Sequence, residues 1–441
     1  MRYYNQSIIR LTAASGLALT LLLGSCKIEP IEDPNNPGLN PISQNPTKGE
    51  IQNVVTGIES GMRNNLGTYG DDVGVIGREF YRFSGSDPRF TSDLLGKGSA
   101  TLDDNTFYTT NPFAARYRVI KNSNILIDGL TNTTAAISAA EKTVGIAYAK
   151  TIQAHELLMV LNLQYGNGVR VDVANPDALG PFLTKDQSLD AILGLLNSAY
   201  TDLTANASVS FPFITTLNGP GGFAKFNRAL AARVSAYKSD WNGALTALSN
   251  SFFDINGDLK AGVFYLFSIA GGDQVNPMFY PLNSSGETRV AHPSYVADAE
   301  AGDSRLNKVS ARTSSLTTDG LTSSYDFFVY KTNVDKIPII RNEELLLIYA
   351  EAKIQLGGAG NLADAKTALD KVRAAAGLAP YAGSLTQAAM IDEMLKQRRY
   401  ALYGEGHRWI DLRRYNRLNT LPIDRTGDDV WVEFPRPAEE L

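Results

Sequence analysis

Residues 342–376 read NEELLLIYAEAKIQLGGAGNLADAKTALDKVRAAA. Apolar side chains recur at three- and four-residue spacing, so the stretch predicts two amphipathic helices, Asn342–Leu356 and Asn361–Ala376. Gly357-Gly358-Ala359-Gly360 separates them as a glycine stop. Asn361 is the expected N-cap of the second helix, with Asp364 in its first turn.

The pair spans 35 residues, close to the ~34-residue helix-turn-helix period of tetratricopeptide repeats. Working upstream, the same spacing marks Ala136–Leu163, with Val144, Tyr148, Thr151 and Leu158, before a stop at Tyr165-Gly166. It recurs over Ser188–Leu203, over Phe223–Tyr237, and, after the turn Ser239-Asp240-Trp241, over Asn242–Leu248. Asp240-Trp241 reads as the hinge of another helical pair, with Trp241 and Trp409 in the core. The expected fold class is mainly α: tetratricopeptide-like helical pairs with long irregular loop and short-strand insertions. The insertions are Tyr69–Pro112, Phe252–Tyr295 and Thr313–Pro338, rich in Gly, Ser, Asp and aromatics, and long for plain connections.

Composition narrows the function classes. The chain has 441 residues, 44% hydrophobic and 20% charged, with a formal net charge of −5. That balance suits a globular protein and lacks the basic footprint of a general nucleic-acid binder. The single cysteine, Cys26, excludes an intrachain disulfide and a thiolate metal cluster. Before it, Arg2 and Arg10 precede an apolar run, Leu11–Leu23, too short for a comfortable transmembrane helix. The run ends in Leu23-Gly24-Ser25-Cys26, which looks like a bacterial lipoprotein processing site. Residues 1–25 are therefore expected to be a signal peptide, and Cys26 the lipidated residue and sole membrane anchor. Loss of Arg2 and Arg10 takes the net charge from −5 to −7. Pro30, Pro34, Pro37, Pro41 and Pro46 then mark residues 26–47 as an extended tether that reaches up to about 60 Å. Residues 48–441 are expected to form a single domain.

Motifs in the second half tie these features together. Pro338-Ile339-Ile340-Arg341-Asn342-Glu343 runs into Leu345–Ala352. Leu369-Asp370-Lys371-Val372-Arg373 and Ala376-Gly377-Leu378 follow. Gln397-Arg398-Arg399-Tyr400 then precedes Gly404-Glu405-Gly406-His407-Arg408-Trp409-Ile410-Asp411. In this order and spacing the chain resembles the SusD/RagB family over about 113–250 and 338–415. It departs at Gln397, where the family often has Glu, and in its ending Phe434-Pro435-Arg436-Pro437. The resemblance implies an outer-membrane, surface-exposed lipoprotein that binds a nutrient, usually an oligo- or polysaccharide. It also implies delivery to a SusC-like TonB-dependent transporter, without catalysis or cofactor. Carriage of peptides, a lipid-anchored glycoside hydrolase and a pure protein scaffold are the alternatives.

Sugar rings pack C–H faces on aromatic planes and need amide, carboxylate or guanidinium partners for their hydroxyls. Two loop clusters carry that mixture. The first is Tyr69, Asp71, Asp72, Arg78, Phe80, Tyr81, Phe83, Asp87, Arg89 and Phe90, continued by Asn105, Phe107 and Tyr108. The second is Phe279, Tyr280, Arg289 and Tyr295. The acids Asp71, Asp72, Asp87, Asp103 and Asp104 are the places where a hydrolytic carboxylate pair would be sought. Glu351, Arg373, Glu405, Arg408 and Asp411 read as structural ion pairs with one another, and His155 and His407 as hydrogen-bonded core residues. No HExxH, GxSxG or P-loop occurs. Gly358-x-Gly360 follows a helix, so it reads as a helix connection. Calcium is raised only by Asp254-Ile255-Asn256-Gly257-Asp258, whose misplaced Gly and missing distal Glu make it a turn. No metal site is expected.

Overall fold

The computed structural model describes residues 39–440, with side chains from residue 42. The expected signal peptide, Cys26 and the tether as far as residue 38 lie outside the described residues. The end of the tether departs from expectation. Leu39–Gln44 is helical (α1), and the Thr133 hydroxyl donates to the Pro46 carbonyl while Asn45 accepts from the Thr134 amide.

Helices follow the apolar periodicity and start where side chains satisfy their free amides. Helix α2 (Lys48–Gly61) has a capping box, Thr47 with Glu50. Helix α3 is Leu66–Ile76, and α4 is Phe107–Asn132. Helix α5 (Ala139–Gln164) carries the box Ser138/Glu141, and α6 (Lys185–Ala205) the box Thr184/Gln187. Each box satisfies two orphan N–H groups reciprocally, and its Ser or Thr cap alone is worth about 1 kcal/mol. Helices α7 (Phe223–Tyr237) and α8 (Trp241–Ser249) form the next pair, followed by the short α9 (Pro293–Ala297). The C-terminal group is α10 (Asn342–Leu356), α11 (Ala359–Ala375), α12 (Gln387–Ala401) and α13 (Arg408–Arg414).

The long helices pack in sequence: α4 on α5, α5 on α6, α6 on α7, α7 on α8. Helix α8 then meets α10, which holds α11 and α12. This is the tetratricopeptide-like stack that the 342–376 pair predicts. Residues 43–441 form one compact unit. Helix α5 lies at its centre and is buried on nearly every side from Val144 to Gln164. Its enclosed polar side chains must therefore find partners. Asn162 donates to the Tyr69 hydroxyl at 3.0 Å, Glu156 pairs with Arg116 at 2.9 Å, and the His155 ring meets the Tyr265 hydroxyl at 2.7 Å. His155 and His407 are both buried, and burial pushes their pKa values down to about 3 and about 4.

Strands fill the insertions. Strands β1 (Phe80–Ser84), β3 (Glu287–Ala291), β5 (Leu321–Phe327) and β4 (Val309–Thr318) form one antiparallel sheet in that spatial order. Strands β2 (Gly262–Tyr265) and β6 (Ile337–Arg341) pair separately. Two insertion boundaries are corrected: residues 69–76 belong to α3, and residues 107–112 open α4. Helix α11 begins at Ala359, so Asn361 sits in its first turn, where its amide donates to the Gly357 carbonyl at 2.8 Å. The motif charges do not pair with one another: Glu351 pairs with Arg414, Arg373 with Glu300 and Glu393, and Glu405 with Arg341, while the Nε of Arg408 has no hydrogen-bond partner among the described residues. Asp411 bridges Arg398 and Arg414 at 2.6 and 2.8 Å. Trp409 is core, but Trp241 is only half-buried, because it stands at the first position of α8 beside an open pocket.

Candidate functional site

Strands β1 and β3 place Arg82 directly opposite Arg289. Two like charges at such a pair repel, and neighbouring acids offset them. Asp71 on α3 accepts from Arg289 through both oxygens, at 2.5 and 2.8 Å, and lies 3.5 Å from Arg82. Glu287 pairs with Arg82 as well and accepts from the Ser84 hydroxyl at 2.7 Å. Burial opposes the Glu287 charge, but the Ser84 and Arg82 hydrogen bonds outweigh it and hold the carboxyl down at about 2.

Aromatic rings cover these guanidinium groups. The Tyr280 ring lies 5.0 Å from Arg82 and 5.1 Å from Arg289, and its hydroxyl accepts from Arg82 at 2.9 Å. Arg82 is also 5.0 Å from the Phe90 ring. Phe90 meets Phe107 edge-on at 5.1 Å, and Arg89 lies 4.9 Å over Phe107. Asp87 in turn holds Arg89 through both oxygens, at 2.9 and 2.7 Å. The result is a ladder of rings and guanidinium groups, Tyr280, Arg82, Phe90, Phe107 and Arg89, with one ring–ring step between Phe90 and Phe107. Each rung is a cation–π or aromatic contact worth about 0.5–1.5 kcal/mol. Tyr280, Phe279, Phe107 and Asp87 are half-buried at this surface, and Arg89 and Asn105 are exposed.

The remaining candidates from the two clusters are core. Phe80, Tyr81 and Phe83 are buried on β1, where Phe80 packs on Phe327 at 4.9 Å and Tyr81 on His292 at 5.1 Å. Tyr69 is enclosed against α5. Tyr108 donates to Asp93, and Tyr295 stacks on Tyr403 at 3.8 Å and donates to the Arg305 carbonyl. Arg78 is tied to the carbonyls of Ile76, Pro422 and Asp429. Phe90 is a buried rung of the ladder, and Arg289 is buried behind Tyr280. Asp72 is fully buried, and neither carboxylate oxygen has a hydrogen-bond partner. Burial and the neighbouring Asp71 raise its pKa far above the usual carboxylate range, so it is held as the neutral acid. The aromatics share one physical reason: they face inward and join the core that the helices build.

Arg82 and Glu287 complete the ladder and were missed in the sequence. Arg82 stands inside Phe80-Tyr81-Arg82-Phe83-Ser84, where an arginine amid alternating aromatics is the one legible signal. Among the described residues no group of three or more His, Cys, Asp or Glu is placed to hold a metal ion, and no helix is long and apolar enough to cross a membrane. Asp254 accepts from the Asn256 amide at 2.9 Å in a turn.

Comparison with known proteins agrees with this architecture. Residues 323–433 match the SusD family. The chain superposes on a SusD superfamily protein from Bacteroides vulgatus with a TM-score of 0.67 at 16% identity, covering 89% of this chain and 96% of that one. It superposes on surface glycan-binding protein A from Bacteroides uniformis with a TM-score of 0.63 at 17% identity, over 83% and 88% of the two chains. A laminarin-binding SusD-like protein gives 0.59 at 17% identity, over 90% and 97%. No curated protein matches the sequence significantly. The SusD family's pattern lies on residues 323–433, and the fold of a SusD superfamily protein extends over 89% of the chain.

Proposed function

We propose that this protein captures an oligo- or polysaccharide at the outer-membrane surface and hands it to a SusC-like TonB-dependent transporter. Residues 1–25 are the signal peptide, Cys26 carries the lipid, residues 26–47 connect it to the body, and 48–441 form the binding domain. The observation that carries this reading is the Tyr280–Arg82–Phe90–Phe107–Arg89 ladder, in which the Tyr280 and Phe107 rings are half-buried at the surface. Tyr280 and Phe107 offer planes for pyranose C–H faces. Arg89, Asp87, Asn105 and Glu287 stand around them as partners for hydroxyl groups. Related structures carrying the names surface glycan-binding protein A and laminarin-binding SusD-like protein support a saccharide ligand.

The action is binding and release, with no bond made or broken. Three of the five acids sought for hydrolysis are engaged or enclosed: Asp71 by Arg289 and Arg82, Asp87 by Arg89, and Asp72 in the core; Asp103 accepts from the Asn105 amide. Affinity electrophoresis through gels containing different polysaccharides tests the reading. Retardation in at least one gel, with no sugar released, is expected. Release of product would return the hydrolase, and heat on titration with peptides but no retardation by any glycan would assign a peptide carrier.

A further inference from the structure

A second pocket opens on the helical stack, away from the strands that carry the ladder. It has a volume of about 500 Å³ and is formed by the C-terminal end of α5, the start of α6, the turn between α7 and α8, and α13. That size lies within the range of small-molecule sites, about 300–1,000 Å³.

Four aromatic residues line it: Tyr165, Tyr237, Trp241 and Tyr415. Each is half-buried. Cations face three of these rings. Arg413 lies 4.0 Å and Lys185 5.2 Å from Tyr165, and Arg414 lies 4.9 Å from Tyr237 and 5.5 Å from Tyr415. Trp241 packs partly on the core and lines the opening with its remaining surface, with no cation over it among the described residues.

The charge of the lining is one-sided. Lys185, Arg413 and Arg414 contribute to it, and no Asp or Glu does, in a chain whose net charge is −5. Arg414 is neutralised from behind by Glu351 and Asp411. Arg413 makes no close ion pair among the described residues; the charge of Glu433 acts on it from farther off, and its guanidinium lies 4.4 Å over the Trp409 ring. Its two terminal nitrogens donate to the carbonyls of Val432 and Asn162, its Nε has no partner, and it is 6% exposed. Burial without a close ion pair penalises the guanidinium charge, and an anion in the pocket would offset that cost. Lys185 pairs only with the adjacent Asp186, which is itself exposed.

The backbone is unusual at the same place. Among the described residues seven non-glycine residues have positive φ, and three of them line this pocket: Tyr165 at 41°, Ser239 at 62° and Asn416 at 54°. Strained residues persist where the surroundings hold them, and they cluster at ligand sites. Here they place a ring, a hydroxyl and an amide around one opening.

We propose that this pocket is a second saccharide site, selective for an acidic sugar: a hexuronate ring stacked on Trp241 with its carboxylate facing Lys185, Arg413 and Arg414. The inference does not depend on the ladder being a glycan platform, since it rests on different residues and a different charge.

Calorimetric titration of the protein with digalacturonate and dimannuronate, and with the neutral dimers galactobiose and cellobiose, tests it. At least one uronate dimer is expected to bind at least tenfold more tightly than either neutral dimer, and to weaken as salt rises. Trp241→Ala and Lys185→Glu should each weaken that binding at least fivefold. Lys185 is the safer probe because it stands at a helix start on the surface, and melting curves report whether either variant is folded. Tyr280→Ala should leave the uronate affinity unchanged. Neither uronate dimer binding, neutral dimers binding as tightly, or an affinity lost in Tyr280→Ala but kept in Lys185→Glu would overturn the proposal.

Discussion

Asp72 shows how a residue can carry the right chemistry for a site and yet serve something else. Its sequence neighbourhood, Tyr69, Asp71 and Arg78, suggests an exposed polar and aromatic cluster, but helix α3 turns Asp72 fully inward. Its folded pKa lies above the unfolded value of about 3.9. Protonation therefore favours the folded state, and stability falls as pH rises through the unfolded pKa toward the folded one. Asp72→Asn, which keeps the shape and removes the charge, is expected to raise the melting temperature at pH 8 and to raise it less at pH 4. Thermal unfolding of the two proteins at both pH values checks this, and an equal effect at both would contradict the buried neutral acid. Asp71, one residue earlier, does the opposite work as the ionised partner of Arg289 and Arg82. No rule of spacing tells these two aspartates apart in the sequence. Only the packing of α3 against β1 and α13 does so.

At the scale of elements, the helices were legible because their signals are local. Phe223–Tyr237 falls where its periodicity puts it, and Asn342–Leu356 ends at Gly357, whose φ is 68°. Starts were less legible where two stop residues adjoin. Gly358 rather than Asn361 precedes α11, because the helix can begin as soon as the glycine turn is complete. The insertions were hard to read for another reason. Strand β1 pairs with β3 some 200 residues later, and nothing in either strand names its partner. The candidate ladder was visible only as a composition of Tyr, Phe, Asp and Arg. Which rings would be core and which would line the surface depended on that long-range pairing. The α5–α6 connection makes a sharper element-scale prediction. Gly168 has φ 66°, and a Cβ there would lie 1.7 Å from the Leu183 carbonyl oxygen. Gly168→Ala combines a clash with rigid backbone and a disfavoured φ, so a loss of at least about 2 kcal/mol is expected. Denaturant unfolding measures it, and a change below about 0.5 kcal/mol would show that the connection is looser than it stands here.

For the whole molecule, the stack of helical pairs is a rigid frame that carries two chemically different surfaces. The β1–β3 ladder is balanced in charge, with each arginine held by an acid. The α5–α13 pocket is not balanced, and that difference separates the two sites proposed above. The anchoring reading makes its own prediction. Cys26→Ser should move the protein from the membrane fraction to the soluble fraction or leave it unprocessed, and metabolic labelling with a fatty acid should fail on the variant. A variant that still takes up label and stays with the membrane would remove Cys26 as the lipid site. The central claim is that Tyr280 and Phe107 present a saccharide platform. The measurement that tests it most directly is calorimetric titration of an oligosaccharide, taken from the polysaccharide that retards the protein, into the native protein and the Tyr280→Ala variant. The account predicts an affinity weakened about tenfold or more, a loss of roughly 1.4 kcal/mol, in a variant that melts lower, because the ring's contacts with Arg82 and Arg289 are lost, but is still folded at the titration temperature. Equal affinity in the two proteins would contradict it.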